Sequence, residues 1–287
     1  MDYRERFKTW WQRLFADPSK APYEAQTTIL RLIHCRCEVE QQIEAADIDA
    51  QEALQDAAGE PLFRLIHGLP GAGKSQVLKW LRSYFNEVWL WEEGVHYQFL
   101  APLNSMAHSI GGATLHSWSE ILWQDKRGRL VKSHGNSEDN ISSLGVKCNC
   151  LRYLFIDEIE ACGVALINEV EDKTRKNVSK LFMFGADKIT ARVFGGVNTF
   201  FLGDFWQLPP PGQVALMSRP DAQTVLQCSK ANSTMTMFWV ENHREALQAW
   251  HPGPERVLHL DVNKRSGGDV AAFVFQRGVV VGGRRTL

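Results

Sequence analysis

The chain has 287 residues, of which 44% are hydrophobic, and this is enough to bury the core of one large domain or two modest ones. Its net charge of −1 gives no sign of a nucleic-acid partner, although a whole-chain sum can hide a basic groove. No apolar run approaches the roughly 20 residues that a membrane span needs. The six cysteines are too few for a secreted disulfide framework, and they lack the spacing of a zinc site. We therefore expect an intracellular protein with reduced thiols.

Residues 1–60 are predicted to form a helical extension. Residues 1–15 place aromatic and basic side chains at helical spacing, which predicts a helix packed on the surface. Ile29, Leu30 and Ile33, with Leu32 beside them, have the spacing of one buried helix face. Residues 38–60 are acidic and contain no Lys or Arg, so we expect a solvated helix, or a pair of short ones, without a chemical role.

Residues 68–75, GLPGAGKS, fit the phosphate-binding pattern G-x-x-x-x-G-K-[ST] at every fixed position. Residues 63–67 before them read as a short buried strand and residues 75–81 as a helix, which is the context that the pattern requires. The glycines allow positive φ and close approach to phosphates, Lys74 adds a mobile charge, and Ser75 supplies a hydroxyl for Mg²⁺. We therefore expect a nucleoside triphosphate to be bound by Gly68, Leu69, Pro70, Gly71, Ala72, Gly73, Lys74, Ser75 and Gln76.

Two further strands are predicted downstream, at residues 89–91 and 98–101, followed by loops and a short helix over residues 101–116. Residues 124–134 carry a local basic patch that includes Lys126, Arg127 and Arg129. The polar, turn-rich residues 135–145 follow this patch. A flexible insertion and a nucleic-acid contact both explain such a segment.

Residues 151–160, LRYLFIDEIE, read as an apolar strand that ends in two carboxylates. In a parallel sheet this places Asp157 and Glu158 at the carboxyl edge, where the phosphate loop also emerges. Asp157 is then suited to hold Mg²⁺, and Glu158 to polarise an attacking water. The alternative is an ordinary solvated acidic pair at the start of a helix.

Residues 197–211 repeat this geometry, with a strand through Leu202, then Gly203-Asp204, then Gln207 beside a proline run. The Gln207 amide can hydrogen-bond a γ-phosphate oxygen or the lytic water. Three strand-to-loop sites directed at one triphosphate predict an ATPase centre.

HGLPGAGKS, LFIDEIE and FGGVNTFFLGDFWQLPP together resemble the PIF/RecD-like branch (superfamily 1B) of superfamily-1 DNA helicases, whose third motif has the form GD-x-x-QLPP. Residues 101–116 are similar to the family's next motif, because residues 112–116 match its G-x-T-x-H ending. Leu103, Asn104 and Met106 depart from the Thr, Gly and Ala expected there.

This resemblance implies roles for further residues. Gln26 lies where the family has an adenine-reading glutamine, and Arg265 fits the context L-x-x-N-x-R-x-x-x-D-x-x-F of an arginine that neutralises charge on the γ-phosphate. Arg244 is the competing arginine. DNA contact is expected at Asn104, Thr114 and His116, with Lys126, Arg127 and Arg129 as a second candidate surface.

We therefore expect an α/β P-loop NTPase fold, a RecA-like parallel sheet flanked by helices. The predicted organisation is a helical extension (residues 1–60), a first RecA-like ATPase domain (residues 61–275, with an insertion at about 117–150) and a truncated tail (residues 276–287). Because the family continues into a second RecA-like domain that is absent here, we expect a fragment that binds ATP and single strands but unwinds little.

The predicted function is that of the motor domain of an ATP-dependent DNA helicase acting in DNA repair, recombination or telomere maintenance. ATP and Mg²⁺ are the expected cofactors, and single-stranded or forked DNA is the expected partner. We expect a monomer without membrane association, in the nucleus or mitochondrion if the source is eukaryotic. A non-catalytic ATP- and DNA-binding remnant of such a helicase is the alternative.

Overall fold

The computed structural model describes residues 2–121, 143–178, 192–213, 215–216 and 257–262, together with the backbone of residues 123–124 and 130–131. Its strands, in chain order, are β1 (Phe63–Gly68), β2 (Tyr97–Ala101), β3 (Ala113–Thr114), β4 (Trp123–Gln124), β5 (Leu130–Val131), β6 (Tyr153–Ile156), β7 (Asn198–Gly203) and β8 (Val257–Leu260). The α-helices are α1 (Tyr3–Leu14), α2 (Glu24–Ala45), α3 (Ile48–Ala58), α4 (Lys74–Tyr84), α5 (Asn104–Ile110), α6 (Leu115–Trp118), α7 (Ser143–Cys148) and α8 (Val164–Asn177).

A six-stranded parallel sheet, in the order β3-β2-β6-β7-β1-β8, forms the centre of the fold. Every residue of β2, β6 and β7 is buried, as expected for a parallel sheet that is covered on both faces. One face packs on α1, α2, α4 and α5, and the other packs on α6, α7 and α8. The predicted α/β class, with a parallel sheet flanked by helices, is confirmed.

The register of the sheet brings three loops to one edge. Strand β7 lies between β1 and β6, with His67 opposite Gly203 and Ile156 opposite Phe201. Because all three strands run in the same direction, the segments that follow them emerge together at the carboxyl edge. These segments are the phosphate loop, the acidic pair and the loop that carries Gln207.

The prediction of a strand at residues 89–91 is wrong. A π-helix, Phe85–Trp89, extends α4 instead, and Leu90 ends it with a φ of 60°. Trp89 stacks on Tyr3 with ring centroids 4.7 Å apart, and Trp91 stacks on Phe85 at 5.5 Å. The apolar run that indicated a strand therefore serves the packing of aromatic rings between α1 and the sheet.

The predicted solvated character of residues 38–60 is correct for α3, which has no buried residue, and wrong for the end of α2. Glu40 is fully buried, where its Oε1 accepts hydrogen bonds from Arg36 Nε (2.9 Å) and Asn198 Nδ2 (2.7 Å). Charges are tolerated there because each finds a partner. The first predicted helix is confirmed as α1, which is anchored by the buried Trp10.

The predicted insertion at about residues 117–150 is described only in part. Its described backbone includes a small antiparallel pair, β4 with β5, and helix α7. Within the described part of the chain, no helix is long and apolar enough to cross a membrane.

Candidate functional site

The phosphate loop joins β1 to α4 in the predicted way. Gly71 and Gly73 have φ angles of 86° and 87°, values that residues with a Cβ rarely adopt. Gly73 is the N-cap of α4, so the positive end of the helix dipole faces the loop. The loop is therefore shaped to hold an anion with backbone N–H groups.

The first turn of α4 places side chains of different accessibility beside this loop. Lys74 is buried and donates a hydrogen bond from its Nζ to the carbonyl of Gly68. Ser75 and Gln76 are exposed to solvent. The loop thus combines a held ammonium group with an open hydroxyl.

Strand β6 delivers the two predicted carboxylates to this edge. Asp157 is only 4% exposed, and burial, with a further contribution from Glu158, raises its pKa to about 6. Glu158 is half-buried and has a φ of 52°, in the left-handed region that favours glycine. Strained backbone of this kind is found preferentially at functional sites.

The turn after β7 carries Gln207. Asp204, which is 1% exposed, holds the turn, because its Oδ1 accepts from Trp206 N (3.1 Å) and its Oδ2 accepts from Gln207 Nε2 (3.3 Å). His67 Nε2 lies 3.9 Å from Asp204 Oδ1, and burial lowers the pKa of His67 to about 4. A neutral imidazole and a carboxylate therefore lie side by side beneath the phosphate loop.

One cleft of about 600 Å³ brings these segments together. Lys74, Glu158 and Gln207, which come from three different loops, all line it. Its remaining lining residues belong to the phosphate loop and the exposed face of α4: Leu69, Pro70, Gly71, Gly73, Ser75, Gln76 and Lys79. The volume lies within the usual range for small-molecule sites.

The donors at this edge fit a magnesium ion. Asp157 Oδ1 is buried and has no hydrogen-bond partner among the described residues, so this carboxylate has an oxygen available for a ligand. The Ser75 hydroxyl is open to the cleft. Within the described part of the chain, no group of three or more His, Cys, Asp or Glu residues could hold a metal. A set of one carboxylate and one hydroxyl is typical of Mg²⁺, which takes its other ligands from water and phosphate.

Gln26, the predicted adenine-reading residue, lies against the phosphate loop. It is 2% exposed, its Oε1 accepts from Tyr23 N (3.3 Å) and its Nε2 donates to the carbonyl of Gly73 (3.4 Å). The Tyr23 hydroxyl donates to the carbonyl of Ala72 (2.9 Å). The start of α2 is thus fastened to the loop, and the Gln26 amide already caps that helix.

The residues predicted to contact DNA lie in the segment after β2. Asn104, the first residue of α5, is exposed, and His116 in α6 is half-buried. The Thr114 hydroxyl accepts a hydrogen bond from Ser117 N (3.1 Å) and caps α6. The other predicted residues, Lys126, Arg127, Arg129, Arg265 and Arg244, lie outside the described residues.

Two residues at this edge have no role in the predictions from sequence. Lys79 lines the cleft from the exposed face of α4, five positions after Lys74. Glu160 is buried next to Glu158 and Asp204. Lys79 could have been found from helical spacing after the loop, whereas Glu160 gives no signal in the sequence beyond being a third acid after the strand.

Among curated proteins, the chain is similar to ATP-dependent DNA helicases. PIF1 of Saccharomyces cerevisiae is 26% identical over 207 residues, which are 71% of this chain and 19% of that protein. RRM3 of the same species is 29% identical over 147 residues, which are 50% of this chain and 18% of that protein. The chain is thus PIF1-like over the matched part and spans less than a fifth of the length of these relatives.

No protein-family model matches the chain. Among solved structures, a structure that shows two coordinating Pif1 helicases at forked double-stranded DNA aligns with this chain at 21% identity and a TM-score of 0.41. The alignment covers 73% of this chain and 38% of that one. The fold assignment therefore depends on the strand order and the phosphate loop described above.

Proposed function

We propose that this chain is the ATP-hydrolysing motor domain of a DNA helicase. The observation that carries the proposal is that Lys74, Glu158 and Gln207, from three loops of one sheet edge, line a single cleft. The similarity of the chain to proteins named ATP-dependent DNA helicases supports it.

Each group has a role in the attack of water on the γ-phosphate of ATP. The loop N–H groups and Lys74 bind the phosphates and stabilise the charge that develops on them. Glu158 accepts a proton from the attacking water, and its half-buried position at the cleft leaves the carboxylate accessible to that water. Gln207 orients the water or a γ-phosphate oxygen through its amide.

Ser75 and Asp157 would hold Mg²⁺, because they offer an open hydroxyl and a buried carboxylate oxygen that has no hydrogen-bond partner in the described part of the chain. When bound, this ion neutralises charge on the phosphates and the leaving group. Burial raises the pKa of Asp157 to about 6, which still leaves the carboxylate ionised at neutral pH.

The remaining assignments belong to the same proposal. Gln26 reads the adenine from its position beside the loop, and Arg265 neutralises charge on the γ-phosphate. Single-stranded or forked DNA binds at Asn104, Thr114 and His116, with Lys126, Arg127 and Arg129 as a second surface. The cellular role is in DNA repair, recombination or telomere maintenance, in the nucleus or mitochondrion if the source is eukaryotic.

The test is DNA-stimulated ATP turnover by the 287-residue chain and by Lys74→Ala. Removing the ammonium group should lower kcat by at least about 100-fold, the usual effect of losing a charge-stabilising donor. Lys173→Ala is the matched control, because Lys173 also donates to a backbone carbonyl, that of Glu120, away from the cleft. It should leave kcat unchanged.

Equal turnover by wild type and Lys74→Ala would overturn the proposal. ATP binding without any turnover by the wild type would favour the non-catalytic remnant instead.

A further inference from the structure

A third acidic side chain lies at the carboxyl edge behind the two predicted carboxylates. Glu160 is in the 3₁₀ turn Ile159–Ala161 that follows Glu158, and it is only 5% exposed. It does not line the cleft. Among the described residues, no ion pair with a cation is seen for Glu160. Burying an acid without one is costly, so the reason for its burial is sought in its hydrogen bonds.

One hydrogen bond of Glu160 reaches the loop after β7. Its Oε2 accepts from the backbone N–H of Asp204 at 3.1 Å. Gly203 allows this approach, because a Cβ there would lie 2.4 Å from Glu160 Oε2 and 2.6 Å from Ile159 Cγ2. The two loops are therefore in direct contact, with no room for a side chain between them.

The Asp204 turn continues this connection to the cleft. The Asp204 carboxylate accepts from both Trp206 N and the Gln207 amide, so the orientation of Gln207 depends on the position of Asp204. On its other side, Glu160 belongs to the 3₁₀ turn of which Glu158 is the N-cap, so only Ile159 separates the two glutamates in the chain. This turn and the hydrogen bond to Asp204 thus join the two cleft residues from behind.

We infer that Glu160 is a positioning residue that joins Glu158 to the turn carrying Gln207 and so fixes both groups relative to each other across the cleft. This inference rests on the proposed ATP hydrolysis. Glu160 lies outside the lining of the cleft. It acts through the orientation of Glu158 and of the Asp204–Gln207 turn.

The protonation of Glu160 agrees with this role. Burial, with a further contribution from Glu158, raises the pKa of Glu160 to about 8. Glu160 is therefore mostly protonated at neutral pH, which lowers the cost of burying it at this place.

Substituting Glu160 by glutamine or by leucine distinguishes the effect of its hydrogen bond from the effect of its side-chain volume. Glutamine mimics a protonated glutamate, because it has the same size and its carbonyl can accept from Asp204 N. We expect Glu160→Gln to keep kcat within about threefold of wild type, and Glu160→Leu to lower kcat by at least about tenfold, since small misplacements of reacting groups are costly. KM for ATP should stay within about threefold in both, because the phosphate loop is unchanged.

The measurement is steady-state DNA-stimulated ATPase, with folding checked by circular dichroism. If Glu160→Leu does not fold, Glu160→Asp takes its place, because the shorter carboxyl cannot reach Asp204 N from the same backbone position and should lower kcat as well. Glu171→Leu is the matched control, since Glu171 is 3% exposed and also accepts a backbone N–H, that of Phe194, away from the cleft. Its kcat should equal that of wild type.

Three results would overturn the inference: wild-type kcat in Glu160→Leu or Glu160→Asp, an equal loss in Glu160→Gln, or the same loss in Glu171→Leu. If the wild type turns over ATP and Lys74→Ala does not, the proposed function stands whichever of these occurs. Absence of turnover in the wild type overturns both.

Discussion

The two edges of the central sheet differ in how their acidic side chains are paired. At the amino edge, acids are matched with bases: Glu40 with Arg36, Glu44 with Arg152, and Glu60 with Arg192. At the carboxyl edge, Asp157, Glu160 and Asp204 are all nearly buried, and Lys74 is the one buried cation among the described residues there. Each of these acids at the amino edge has a cation partner, whereas the buried acids at the carboxyl edge outnumber the buried cations among the described residues.

This difference separates stability from function. The Glu40 carboxylate is held by Arg36 and Asn198, and Asn198 Oδ1 also accepts from Leu62 N at 2.8 Å, so the polar groups of this cluster fasten α2 to the sheet. At the other edge, burial, with a further contribution from Glu158, raises the pKa values of Asp157 and Glu160, which destabilises the fold and prepares a site for a cation and phosphates.

The largest expected effect is the loss of folding stability when a buried ion pair at the amino edge is broken. Glu40→Ala removes the partner of the buried Arg36 and of the Asn198 amide, so the free energy of unfolding should fall by about 3–5 kcal/mol. Urea unfolding measures this. Glu44→Ala, at an exposed pair, should cost less than about 1 kcal/mol. Similar losses in the two variants would show that burial does not distinguish these ion pairs.

The next largest expected effect is a loss of ATP turnover when a carboxylate at the carboxyl edge is replaced. Glu158→Gln removes the candidate base but keeps its size, so kcat should fall by about 100-fold or more while ATP affinity is retained. ATPase assays and nucleotide titration measure the two quantities. Glu169→Gln, on the exposed face of α8, is the control and should behave as wild type. A Glu158→Gln variant with full turnover would remove Glu158 from the mechanism.

The smallest expected effect is the pH dependence of stability. Glu160 has a folded-state pKa of about 8, above its ordinary value of 4.5, so its contribution to stability is complete below pH 4.5 and is lost as pH rises through 8. Glu160→Gln removes this titration. Between pH 5 and pH 8, wild type should therefore lose about 1–2 kcal/mol more stability than the variant, after allowance for solvent screening.

Urea unfolding at four pH values from 5 to 8 makes this measurement. Asp157, whose pKa is also raised, is present in both proteins, so its contribution cancels. Parallel pH profiles for wild type and Glu160→Gln would show that Glu160 titrates normally.

The sequence predicts those parts of the fold and site that depend on short-range patterns. The phosphate loop, the apolar strand before Asp157 and the strand before Gln207 are each readable because glycines, apolar runs and polar ends lie within a few residues of one another. Parallel strands then bring their carboxyl ends together, which is why Lys74, Glu158 and Gln207 line one cleft.

The sequence does not predict contacts that depend on distant partners. Glu40 belongs to an acidic stretch that reads as solvated, and only Asn198, far along the chain, explains its burial. Glu160 depends in the same way on Gly203 and Asp204. The aromatic residues around Trp89 read as a strand because a short apolar run does not distinguish a strand from rings stacked between elements.

The contact between Gln26 and Gly73 has a consequence for sequence variation. Gly73 has a φ of 87°, and a Cβ there would also lie 2.4 Å from Gln26 Nε2. One position thus meets two independent requirements, one from the phosphate loop and one from the helical extension. An alanine at position 73 would strain the loop and push away the cap of α2 in a single step, so relieving one defect would leave the other. A natural variant that lacks glycine here should therefore also have changed at residue 26.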